Sequence, residues 1–161
     1  MEDTSAAATL TARATLNEAT ALEHMRSVLH QIDGAMHASV AMLSGDQLRV
    51  VASTDERIDA VGDLGDGPSA AVMRTGQIVR VPTVERDTEF PDYVAKCRRH
   101  GVSSMAGFPI KDAALRTVGV LTVSSADHHG FGPPDLRAGR RGAETLAALI
   151  SKRHVAPTPS M

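Results

Sequence analysis

The chain is poor in aromatics and in thiols. Among its 161 residues there is no Trp, one Tyr, three Phe and one Cys. With aromatics at 2%, the core has to be built from Val, Ile, Leu, Met and Ala, and a single-stranded nucleic acid would find few rings to stack on. The lone Cys97 cannot close an internal disulfide, which fits a reducing compartment and points to the cytoplasm. Charge is nearly balanced, at a formal −2, so bulk electrostatics draws the chain neither to nucleic acid nor to anionic lipid. No run of about 18 apolar residues could cross a bilayer, and no charged-then-apolar leader opens the chain. Catalytic signatures are missing too. Gly65-Asp66-Gly67 is not followed by the Gly-Lys-Ser/Thr of a phosphate loop. No Gly-x-Ser-x-Gly elbow presents a serine. The adjacent pair His128-His129 lacks the partners that zinc needs and reads as a polar turn. Glu85, Asp87, Glu89 and Asp92 lack calcium-loop spacing and read as a solvated connection. No catalytic residue and no metal ligand is assigned.

What is present suits one soluble domain, 42% hydrophobic and 22% charged. A chain of this size buries about 68–70% of its unfolded surface. Leu22, Met25, Leu29 and Ile32, in 3-4-3 spacing, predict a helix over 10–33 that stops at Asp33-Gly34. Strands are expected at 38–43 and 47–53, joined at Ser44-Gly45-Asp46. The glycine-rich run 54–66 reads as a loop. Pro68 opens a short helix that Gly76 closes. A strand at 77–82, a charged connection at 83–91 and a helix at 92–100 follow, the last ending at Gly101. Strands at 103–110 and 117–125 precede a final helix over 133–153, with Leu136, Ala143, Leu146, Ala147 and Ile150 on its apolar face. Gly139 and Gly142 inside that helix cost about 1 kcal/mol each against Ala. They are read as points where a neighbouring backbone comes close. The ends, 1–9 and 154–161, read as loose tails around a single domain at 10–153.

The block order resembles the GAF family of small-molecule sensor domains. The residues that carry the likeness are Gly76-Gln77 before the central strand, Phe90-Pro91, Gly107 and Pro109 in the strand Met105–Ile110, Gly119-Val120 in the next strand, and Phe131-Gly132-Pro133 before the last helix. The likeness spans roughly 20–152. It implies an α+β fold: an antiparallel sheet of five to six strands, the terminal helices on one face, and loops with short helices over a ligand face.

By the same resemblance the chain is a non-enzymatic sensor or regulatory module. It would bind an unidentified small molecule under a lid at 83–101 and signal to a partner signalling or transcription protein. The candidate ligand contacts are Phe90, Tyr93, Cys97, Arg98 and Met105. Two of the four aromatics, Phe90 and Tyr93, fall in the lid, and Arg98 offers a planar fork for an anion. Haem is a less favoured cofactor reading, with His100 as its ligand. An alternative is a ligand-free scaffold forming a homodimer through Leu22, Met25, Leu29, Ile32, Leu146 and Ile150. A third reading is an enzyme like the free methionine sulfoxide reductases. That chemistry needs an attacking thiolate and a resolving thiol, and the chain has only Cys97.

Overall fold

The computed structural model describes residues 16–55, 62–63 and 67–150. The two tails, and the helical residues expected at 10–15 and 151–153, lie outside the described residues. In order along the chain come α1 (Glu18–Gln31), β1 (His37–Ser44), β2 (Gln47–Ser53), β3 (Gly62–Asp63), α2 (Pro68–Thr75) and β4 (Val79–Val81). After a 3-10 turn (Val84–Arg86) follow α3 (Pro91–His100), β5 (Ser104–Lys111), β6 (Thr117–Ser125) and α4 (Pro133–Leu149). The strands form one six-stranded sheet in the order β3-β2-β1-β6-β5-β4, with every pairing antiparallel. This is the expected α+β fold. The two-residue β3 falls in the stretch read as loop.

Local chemistry sets the element ends. Asn17 caps α1 by accepting from the Thr20 N–H at 3.0 Å, so the helix begins where an orphan donor finds a side-chain acceptor. Pro68, Pro91 and Pro133 each open a helix, where the missing N–H costs nothing. Gly76 (φ 67) and Gly101 (φ 71) end α2 and α3 in the left-handed conformation, which glycine adopts without steric strain.

The main core lies between the sheet and the pair α1 and α4. Ala38, Val40 and Met42 of β1, Ala106, Phe108 and Ile110 of β5, and Leu121 and Val123 of β6 point into it. Their alternate spacing is the two-residue period of a sheet with one face packed. From α1 the buried residues are Ala21, Met25 and Val28, with Ile32 just beyond. Leu22 and Leu29 are only half-buried flanks. The apolar stripe is therefore turned by one residue from the sequence reading. α4 sits tightly on β5 and α1. A Cβ on Gly139 would lie 2.1 Å from Cζ of Phe108, and one on Gly142 would lie 2.4 Å from Cγ2 of Val28. The close neighbours are side chains, not the backbone expected.

The same packing takes up most of the six residues expected at a dimer face. Met25, Ile32, Leu146 and Ile150 are buried within the one chain, because α1 and α4 lie against each other and against the sheet. Only Leu22 and Leu29 of the six keep part of their surface.

Candidate functional site

The opposite face of the sheet is chemically divided. The register lines up Ser53, Ser39, Thr122 and Gly107 across β2, β1, β6 and β5. The neighbouring row is His37, Ser124, Met105 and Val81, running from β1 to β4. Their alternation with Ala38, Val40, Leu121 and Val123 places these side chains away from α1 and α4. His37, Ser39 and Ser124 are buried, while Ser53 and Thr122 are half-buried. A strip of imidazole and hydroxyls thus interrupts an otherwise apolar layer.

The strip is internally bonded. His37 Nδ1 lies 3.4 Å from Ser124 Oγ, and its Nε2 lies 3.4 Å from Ser53 Oγ. Ser53 Oγ also accepts from the Asp55 N–H at 3.1 Å. A neutral imidazole offers one donor and one acceptor, and each hydroxyl can serve as either. Among the described residues no buried side-chain nitrogen or oxygen lacks a partner. The His37–Ser53 and His37–Ser124 separations, both 3.4 Å, lie beyond the roughly 2.6–3.2 Å of a formed acid–base pair. What the strip can do is recognise: it presents donors and acceptors at fixed spacing between apolar walls.

Two helices build those walls. α2 covers one end, where Val72 packs with Leu48 and Val120. Gly107 makes room for it, since a Cβ there would meet Val72 Cγ2 at 3.0 Å. α3 covers the β4–β5 end. Phe90, Val94, Cys97 and Met105 are buried there with Val81, Val84 and Val102, and Tyr93 packs half-buried against them. The structure therefore brings Phe90, Tyr93, Cys97 and Met105 together, as a packed apolar cluster between lid and sheet. Met105, paired directly with Ser124, is the one that borders the polar strip. Burial pushes the Cys97 thiol up from its ordinary pKa. Arg98 is exposed and stands apart from this cluster, and His100 is half-exposed in the last turn of α3.

The other polar candidates are structural ties. His128 Nε2 lies 2.9 Å from a carboxylate oxygen of Glu85, which holds the Glu85 carboxyl below the usual range. His129 Nε2 lies 2.9 Å from Asp135 Oδ2, and its ring meets the Phe131 ring edge-on at 4.7 Å. Asp87 accepts from the Phe90 N–H at 2.7 Å. Among the described residues no group of three or more His, Cys, Asp or Glu could hold a metal ion.

A family model for the GAF domain matches residues 15–151. The chain belongs to the GAF domain family. Solved structures share the fold at low identity. The GAF domain of a two-component sensor histidine kinase from Bacillus halodurans is 14% identical with a TM-score of 0.70, covering 84% of this chain and 95% of that one. The type II free methionine-R-sulfoxide reductase of Thermoplasma acidophilum is 16% identical with a TM-score of 0.69, covering 82% and 90%. The GAF domain region of a putative membrane protein from Geobacter sulfurreducens is 18% identical with a TM-score of 0.65, covering 80% and 93%. No curated protein sequence matches the chain. A GAF fold that serves both sensors and reductases leaves activity to be argued from the side chains. Among the described residues no helix of this GAF domain is long and apolar enough to cross a membrane.

Sequence reasoning missed His37, Ser39, Ser53, Thr122 and Ser124. For all but Ser53 the signal was the alternation in 37–40 and 121–124, where polar residues hold every second place on two strands.

Proposed function

We propose that this GAF domain is a cytoplasmic sensor. It binds a small polar molecule on the sheet face floored by His37, Ser39, Ser53, Thr122 and Ser124, and transmits the event to a partner signalling or transcription protein. The buried polar strip carries the reading. Burying hydroxyls and an imidazole brings little net stability even when all are bonded, so their concentration at one site points to recognition. Ligand pockets combine apolar walls with a few convergent polar groups, and the packed clusters under α2 and α3 supply such walls. The ligand's bonds would replace the long bonds now linking His37 to its two serines.

The enzyme reading is weaker for this chain. A thiol reductase needs an accessible thiolate and a resolving thiol. The only cysteine is 3% exposed, in a cluster with Phe90, Val94, Met105 and Tyr93.

A thermal-shift screen of polar metabolites against the wild type and His37→Leu tests the proposal. The expected outcome is a compound that stabilises the wild type in proportion to its concentration and fails on His37→Leu. A compound that stabilises both equally binds elsewhere, and a wild type indifferent to every polar metabolite would overturn the sensor reading.

A further inference from the structure

On the helix side of the sheet, a groove of about 740 Å³ runs between α4 and the β4 edge. Its volume falls within the roughly 300–1,000 Å³ of small-molecule sites. The floor and sides are apolar: Ile78, Phe108, Leu136, Ala143 and Ala147. Three cations stand around it. Arg80 is anchored, donating through one terminal nitrogen to the carbonyls of Gly130 and Phe131 at 2.9 and 3.3 Å. Lys111 and Arg140 also line the groove, and neither makes an ion pair with a described residue.

Two acids line it as well, Asp112 and Glu144. Asp112 is already occupied. It pairs with Arg116 at 3.0 Å and accepts the N–H groups of Ala114 and Arg116, both at 2.9 Å. That leaves three cations against one free carboxylate.

The lip adds a second observation. Leu115 lines the groove, is 77% exposed and sits at φ 66. A leucine in the left-handed region carries backbone strain, and here it also leaves its apolar side chain in water. Both costs make sense if the side chain covers something apolar in the groove.

We propose that this groove binds a small amphipathic anion, an apolar chain or ring bearing one carboxylate. The carboxylate would lie among Arg80, Lys111 and Arg140, and the apolar body along Phe108 and α4 under Leu115. Arginine forks and a lysine ammonium around a low-polarity wall suit a carboxylate, because charge-assisted bonds strengthen away from water. The site is separate from the polar strip, which lies on the opposite face of the sheet, so the two can fail independently.

Decanoate, titrated below its micelle concentration and followed by amide NMR, tests the proposal. Saturable shifts are expected in 76–80, 111–115 and 136–147, with the 37–39 and 122–124 amides unmoved. Lys111→Glu with Arg140→Glu should weaken binding by about tenfold or more, and Arg140→Gln alone should weaken it less. Both side chains sit at the groove's surface, so an unchanged melting temperature checks the fold of each variant. Decanol, with the same chain and no charge, should bind about tenfold or more weakly than decanoate. Equal binding by wild type and double variant would overturn the proposal, as would shifts confined to the polar strip. Shifts in 111–115 and 136–147 that grow with protein concentration without decanoate would overturn it in favour of a second copy of the chain.

Discussion

Replacing Gly139 with alanine sets two effects of opposite sign against each other. In an open helix the change stabilises by about 1 kcal/mol, because glycine loses more backbone freedom on folding. At position 139 the added methyl would stand 2.1 Å from Cζ of Phe108, and 2.4 and 2.5 Å from its two ε carbons. Non-bonded carbons settle at about 3.5–4.0 Å, so ring and helix would have to part by more than about 1 Å. Phe108 is fully buried on β5, and turning its ring toward the groove at the β4 edge would break its packing in the main core. Moving α4 instead would loosen its contacts along α1 and β5 together. Overpacking of this kind costs about 1–3 kcal/mol, and three clashes with one rigid ring place it near the top of that range. After the helix gain, the net loss is about 2 kcal/mol. For a domain of this length that lowers Tm by about 4–8 °C. Urea denaturation should show an earlier midpoint with an unchanged slope. In the Phe108→Leu background the same change should cost at least about 1 kcal/mol less, because the contact that made it unfavourable is gone. A Gly139→Ala protein as stable as the wild type, or more so, would refute the reasoning.

Three further expectations follow from the same packing and bonding. Cys97 is buried and its thiol pKa is raised, so a thiol reagent should label the native protein far more slowly than the urea-unfolded chain; rapid labelling of native protein would contradict the buried placement. Ser124→Val should destabilise by about 0.5–1.5 kcal/mol by removing the hydroxyl that bonds His37 Nδ1, and urea midpoints measure it; an unchanged midpoint would show that the hydroxyl does not serve the ring. The Glu85 carboxyl, lowered chiefly by its hydrogen bond to His128, should titrate below the ordinary glutamate value in NMR. With the folded value depressed, its contribution to stability is present above the unfolded pKa and is lost as pH falls through the folded one. His128→Gln should return the midpoint upward, and a midpoint that stays put would assign the shift to another cause.

The parts of the fold legible in the sequence were those fixed by backbone chemistry. Proline at 68, 91 and 133 and glycine at 76 and 101 mark helix ends that the structure places beside them. The β5–β6 hairpin followed from its apolar runs around the turn at 111–116, although Lys111 itself still belongs to β5. The rotation of the α1 stripe was not legible, because spacing alone favours the largest apolar residues. The helix instead presents Ala21, Met25 and Val28 to the core, with Val28 seated closely against Gly142 of α4. Leu22 and Leu29 then fall to the flanks. For the candidate site the difficulty was face assignment. A one-residue slip exchanges the two faces of a strand, and Ser in a strand reads as surface. Phe90, Tyr93 and Cys97 stand out as the rarer residues of the lid segment, and Met105 as a bulky one on the strand beside it. Those same properties make them the material that packs α3 onto β5.

A sheet with one face packed needs nothing polar on the other face except where that face meets water. Here His37, Ser39 and Ser124 are buried, so solvation does not explain them. Structural clamping does explain other buried hydroxyls in the same chain. Ser125 Oγ donates to the Gly34 carbonyl at 2.8 Å and Ser104 Oγ to that of Asp127 at 2.6 Å, each tying a loop to a strand end. The His37 bonds differ in kind. They join side chain to side chain across neighbouring strands that the backbone ladder already holds, and at 3.4 Å they are long. Long bonds between rotatable hydroxyls and a ring can be exchanged for bonds to a ligand at small net loss, whereas the short loop clamps cannot. On the proposed reading, the floor of the site is the part of this face that would trade internal partners for those of a ligand, between Val72 over Gly107 and Met105 beside Ser124.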